Sequence, residues 1–159
     1  VKARVYIETS VVSYLTARPS RDVVAAGHQQ ISLDWWEHRR HDFEIVASQL
    51  VVKEAGQGNP EMARRRLELL AGLPLLEVTE GAQELAIAIV QKGLLPQTAY
   101  PDALHIGTAT VHEVDYLLTW NCAHIANAEI LPRVALICES FGWALPYICT
   151  PEELLGDPQ

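Results

Sequence analysis

The chain has 159 residues, a net charge of -8 and 49% hydrophobic side chains, which fits one domain with enough apolar material for a core. No apolar run approaches the roughly 20 residues of a membrane span, and the opening segment has no basic start, apolar stretch or small-residue cleavage site, so a cytoplasmic chain is expected. The acidic balance argues against tight non-specific nucleic-acid binding, which needs Lys and Arg to displace counterions. It leaves room for a nucleic-acid contact made through a divalent cation, which inverts the field of an acidic pocket. Three scattered cysteines, Cys122, Cys138 and Cys149, make neither a disulfide framework nor a zinc site and are expected as buried thiols.

Arg4 to Ile7 alternates and is rich in β-formers, which predicts a first strand ending at Glu8. Thr9 and Ser10 supply N-cap chemistry for a short helix through Val11 to Leu15, stopped near Pro19. A second helix is expected from Arg21 to Arg40, with Val24, Gly27, Ile31 and Trp35 on one side and basic residues at its end. Phe43 to Ala47 reads as a strand, and Ser48 caps a helical turn carrying Val51, Val52 and Glu54. After the loop at Gly56, Gly58 and Pro60, a helix over 61–70 places Ala63, Leu67 and Leu70 inward and Arg64, Arg65 and Arg66 outward. Leu75 to Val78 is a short strand.

Ala82, Leu85, Ala86, Ile89 and Val90 repeat at helical spacing and form the best-patterned helix, ended by Gly93 and Pro96. Pro101 suits the first turn of a largely buried helix through Val111. Tyr116 to Thr119 is a strand, Ile130 to Phe141 a last long helix, Tyr147 to Cys149 a short strand, and Pro151 to Leu154 a terminal turn. Alternating strands and helices without repeat or linker predict one α/β domain of three layers, a central mainly parallel sheet flanked by helices.

In such sheets ligands bind beyond the carboxyl ends of the strands. Glu8 follows the first strand, Glu54 lies one helical turn after the second, Asn121 follows the strand at 116–119, and Asp102 opens a buried helix. Three carboxylates and an amide in apolar surroundings are costly to bury unpaired, and these segments hold few cations. A hard divalent ion with oxygen ligands resolves that cost and supplies the chemistry of a phosphodiesterase.

These residues also carry a family resemblance. Val5 to Leu15 (VYIETSVVSYL) resembles the opening of PIN-domain nucleases, especially VapC-like toxins, in which a strand delivers an acid followed by Thr or Ser and an apolar helix. Ser48 to Glu54 resembles their second motif, Asp102-Ala103-Leu104-His105-Ile106 their third, and Leu117 to Asn121 with His124-Ile125 their fourth, in order over nearly the whole chain. The resemblance implies a PIN-like fold and a ribonuclease dependent on Mg2+ or Mn2+, often the toxin of a toxin–antitoxin pair. By position, Glu8, Glu54 and Asp102 are then the acidic metal-binding set and Asn121 completes it, while Thr9, Ser10 and Thr119 orient carboxylates or water. RNA is the implied substrate and a small antitoxin the implied partner. Aromatic helices make a homodimer plausible. Two positions depart from the pattern: Glu8 stands where Asp is usual, and Asn121 is neutral.

Each residue also has a plainer reading. Glu8 suits a helix entry, Asp102 an ordinary first turn, Glu54 a solvated helix end and Asn121 the cap of a turn reaching His124. His105, three residues after Asp102 on the same helix face, is expected either to orient a metal-binding carboxylate or shuttle a proton, or to be a hydrogen-bonded core histidine. His124 is similar. Trp35 and Trp36 fit core or dimer packing better than base stacking, and the arginine run fits a solvated face. Against the nuclease stands a non-catalytic PIN-fold module acting through protein or RNA contacts. A receiver-like domain fits less well, since its acidic pair and later Lys are missing, and there is no P-loop or G-x-G-x-x-G.

Overall fold

A computed structural model describes residues 1–157. Five strands, β1 (Ala3–Ile7), β2 (Phe43–Ser48), β3 (Leu75–Leu76), β4 (Tyr116–Leu118) and β5 (Tyr147–Cys149), form one sheet in the order β3-β2-β1-β4-β5. Every pairing is parallel, so the sheet is more uniform than the mainly parallel one expected. Val5, Tyr6, Ile7, Leu117 and Leu118 are fully buried, as strands covered on both faces require. Among the described residues the α-helices are α1 (Thr9–Thr16), α2 (Val23–Arg39), α3 (Gln49–Ala55), α4 (Pro60–Leu70), α5 (Glu80–Gln91), α6 (Tyr100–Val111) and α7 (Leu131–Ser140).

The chain runs outward from β1 through β2 to β3, then returns to place β4 on the other side of β1. That reversal opens a crevice between the carboxyl ends of β1 and β4, the usual position of a site in open parallel sheets. α5 and α6 pack closely beside it. A Cβ added at Gly107 of α6 would run into the Ala82 carbonyl oxygen of α5, so glycine sets the approach of the two helices. Ala82, Leu85, Ala86 and Ile89 are fully buried on the expected stripe of α5.

Several local expectations change. The cap of α1 is Glu8, whose extended backbone precedes the helix and whose carboxylate accepts from the Ser10 amide, rather than Thr9 or Ser10. Ser48 caps α3 as expected, accepting from Val51 N–H. α2 does not bury Val24 and Gly27, both exposed. It packs through Gln29, Ser32 and Trp35, because Gln29 is anchored to the Arg18 carbonyl and the Ser20 amide, which turns the helix away from its apolar spacing. Leu67 is exposed, while Ala63 and Leu70 are buried. Arg64 faces outward to pair with Glu68, but Arg65 donates to the Thr16 carbonyl and Arg66 to those of Ala55 and Gln57, so two of the three arginines are structural ties. Cys138 and Cys149 are buried and Cys122 is exposed. Trp35 is fully buried, and Trp36 packs against the core beneath Arg40. Among the described residues no helix is long and apolar enough to cross a membrane.

Candidate metal centre

β1 ends by carrying Glu8 into the crevice, and the amide of Glu8 donates to the Leu118 carbonyl of β4 at 3.0 Å. Glu8 is only 5% exposed. Its Oε1 accepts from Ser10 Oγ at 2.5 Å and Thr119 Oγ1 at 2.6 Å, and its Oε2 from the Ser10 amide at 3.1 Å. The strand exit and the first turn of α1 together supply these donors, and they stand in for the water lost on burial.

α3 projects Glu54 toward the same crevice. Its Oε1 accepts from Thr9 Oγ1 at 2.5 Å and lies 2.7 Å from His105 Nε2, while its Oε2 takes no hydrogen bond among the described residues. Burial pushes the Glu54 carboxyl upward, but the hydrogen bonds from His105 and the Thr9 hydroxyl, with nearby Lys53, outweigh it and hold the carboxyl below its ordinary value. His105 is fully buried on α6, and its Nδ1 is 2.7 Å from the Tyr6 hydroxyl, itself 2.7 Å from Ser48 Oγ. Burial pushes the Tyr6 phenol strongly upward.

Ligand atoms of Glu8, Glu54 and His105 all lie within 4.8 Å of one another. Asp102 is not in that group. It sits one helical turn before His105, in the first turn of α6, with Oδ2 at 2.9 Å from His124 Nδ1. Asn121 accepts from the His124 amide through Oδ1 at 3.0 Å, and its backbone N–H donates to Thr119 Oγ1 at 2.9 Å. It therefore serves as the cap of the turn after β4. His124 joins the third and fourth motifs through these two contacts.

No Lys or Arg forms an ion pair with Glu8, Glu54 or Asp102 among the described residues. Two carboxylates held this close repel unless a cation lies between them or one takes a proton. Oxygen donors with spare lone pairs, steadied by hydroxyls and lacking a Lys or Arg partner among the described residues, fit a hard divalent ion.

Sequence reasoning named His105 as a candidate partner but missed its link to Tyr6, because that contact joins β1 to α6 across 99 residues. It also missed an aromatic group beside the crevice. Trp120 stacks on His28 with centroids 3.9 Å apart, Tyr14 meets both rings edge-on, and Trp120 Nε1 donates to Ser32 Oγ at 2.8 Å. These contacts tie α1 and α2 to the end of β4, and no spacing along the chain announces them.

No protein-family model matches the sequence, and no curated protein gives a significant match. Solved structures do match. VapC20 of Mycobacterium tuberculosis, described as a sarcin-ricin loop cleaving toxin, aligns over 78% of this chain and 95% of its own at a TM-score of 0.60 and 12% identity. VapBC2 of Rickettsia felis, bound to a DNA fragment from its promoter, aligns over 92% of this chain and 98% of its own at 0.54 and 15% identity. A toxin–antitoxin complex from Klebsiella pneumoniae aligns over 78% and 92% at 0.53 and 18% identity.

The chain has the VapC-type PIN fold. Within that fold, the crevice holding Glu8 and Glu54 lies where the β1–β4 reversal puts it.

Proposed function

We propose that this protein is a divalent-metal-dependent endoribonuclease, the toxin of a toxin–antitoxin pair. The observation that carries this reading is the convergence of the Glu8 and Glu54 carboxylates in the switch-point crevice without a Lys or Arg counter-ion among the described residues. Glu8, Glu54 and Asp102 are the residues that would hold Mg2+ or Mn2+, and Asn121 would complete the set through its amide. When bound, such an ion neutralises charge on a phosphate and lowers the pKa of a water nucleophile. Thr9, Ser10 and Thr119 hold the carboxylates in place by hydrogen bonds. RNA is the proposed substrate, and a small antitoxin covering the crevice the proposed partner, with a homodimer as the proposed assembly. The fold shared with toxin structures solved with their antitoxins supports the pairing.

A second reading, a non-catalytic module of the same fold, draws on the engagement of Asn121 with the His124 amide and of Asp102 with the His124 ring. Titration of Mn2+ and Mg2+ by calorimetry, with RNA cleavage assayed alongside, separates the two. Binding and cleavage by the wild type that both collapse in Asp102→Asn support the nuclease. No metal binding by the wild type at millimolar concentration favours the non-catalytic module.

A further inference from the structure

The three groups closest together at the centre are not equivalent as ligands, and the hydrogen bonds around His105 say which one differs. Ser48 is fully buried, and its hydroxyl oxygen accepts from the Val51 amide at 3.2 Å. The only other partner of that hydroxyl among the described residues is the Tyr6 oxygen, so the Ser48 proton has nowhere else to go. Ser48 therefore donates to Tyr6. The Tyr6 proton is then directed at His105 Nδ1, which must accept, and the ring proton sits on Nε2, pointing at Glu54 Oε1.

The reverse direction fails in two places. It strands the buried Ser48 proton, at a cost of about 1–3 kcal/mol for an unsatisfied donor. It also sets Nε2 bare against a carboxylate oxygen, or else demands a second ring proton. The forward chain leaves no donor or acceptor along it unmatched.

We infer that His105 is a positioning residue and not a metal ligand: the one-way chain Ser48–Tyr6–His105 commits Nε2–H to Glu54 Oε1, leaving Glu54 Oε2 to coordinate. The inference rests on the metal-dependent reading above. Glu54 Oε1 has two donors, Thr9 and His105, whereas Oε2 has none among the described residues. At Glu8 two hydroxyls occupy Oε1 and the Ser10 amide donates to Oε2, so both of its oxygens are held. Hydrogen bonds thus orient both carboxylates before any ion arrives, and Glu54 alone keeps an oxygen without a donor among the described residues.

The test uses the intact chain loaded with Mn2+, read by calorimetry and by pulsed EPR for nitrogen coupling. Wild type is expected to bind Mn2+ without the coupling of a directly coordinated imidazole. His105→Leu should weaken binding by about 10–100-fold, the usual effect of losing a residue that orients a ligand. His105→Gln should recover most of that loss, because its amide offers an acceptor oxygen for Tyr6 and a donor N–H for Glu54. Tyr6→Phe keeps the ring packing and removes only the hydroxyl, so it should weaken binding even if His105→Leu fails to fold. A coordinated-imidazole coupling in wild type that His105→Gln abolishes overturns the inference alone. So does Mn2+ affinity unchanged in both His105→Leu and Tyr6→Phe. Failure of wild type itself to bind Mn2+ overturns the nuclease reading and this inference with it.

Discussion

Thr119 Oγ1 donates to Glu8 Oε1 across 2.6 Å, joining the residues that follow β4 and β1 directly over the crevice. The same oxygen accepts from the Asn121 amide, so one fully buried hydroxyl both steadies the first acid and shapes the turn that carries the last motif. Thr119→Val has nearly the same shape but leaves the Asn121 N–H without its acceptor and Glu8 Oε1 with one donor fewer. Urea unfolding should show a loss of about 1–3 kcal/mol, and Mn2+ affinity should fall with it. An unchanged midpoint and affinity would mean that the hydroxyl is dispensable.

Glu54 makes a prediction about acid stability. Its carboxyl is held below the ordinary value of 4.5 in the folded chain. Its contribution is therefore present above that value and is lost as pH falls through the lower folded value. Without added metal, the wild type should lose stability more steeply on acidification below pH 4.5 than Glu54→Gln, which lacks the titrating group. The difference between the two unfolding curves isolates Glu54 from the other carboxylates. Parallel curves would contradict the sign.

The thiols should divide by burial. Cys122 is exposed, whereas burial raises the Cys138 thiol and pushes Cys149 up to about 12, with Glu153 adding to the latter. A thiol-reactive disulfide reagent at neutral pH should modify one cysteine quickly in the native protein and the other two only on unfolding. Peptide mapping should locate the fast site at Cys122.

Gly107→Ala should be disproportionately harmful for so small a change. Its methyl would meet the Ala82 carbonyl oxygen, so α6 must shift away from α5 at a cost of about 1–3 kcal/mol. Because α6 also carries Asp102 and His105, Mn2+ affinity should decline more than in Gly72→Ala, where nothing lies within 4 Å of the added methyl.

The parts of this fold legible in the sequence are those where one local signal decides. β1 and β4 are apolar runs followed by polar residues, and α5 has four buried positions at helical spacing. The placement of acids at element ends then follows from parallel topology. The buried face of α2 is not legible in its sequence, because its apolar residues are spread around the helix and its orientation comes from Gln29 and Ser32, polar residues of a kind usually exposed. The Tyr6–His105–Glu54 chain and the Asp102–His124 pair join distant segments, so they depend on the packing of α3 and α6 around β1. Asn121 illustrates a residue with two simultaneous readings: it lies in the fourth motif and also caps its turn.

Helix α6 buries every residue from Ala103 to Thr110. A helix without a solvent face has little freedom to fray, and its amides should exchange with deuterium only when the whole domain opens. The arrangement around His105 then persists as long as the protein stays folded. Local loosening at the exposed start of α2 would leave it intact, whereas any change that lowers global stability would reduce the fraction of molecules holding an assembled centre.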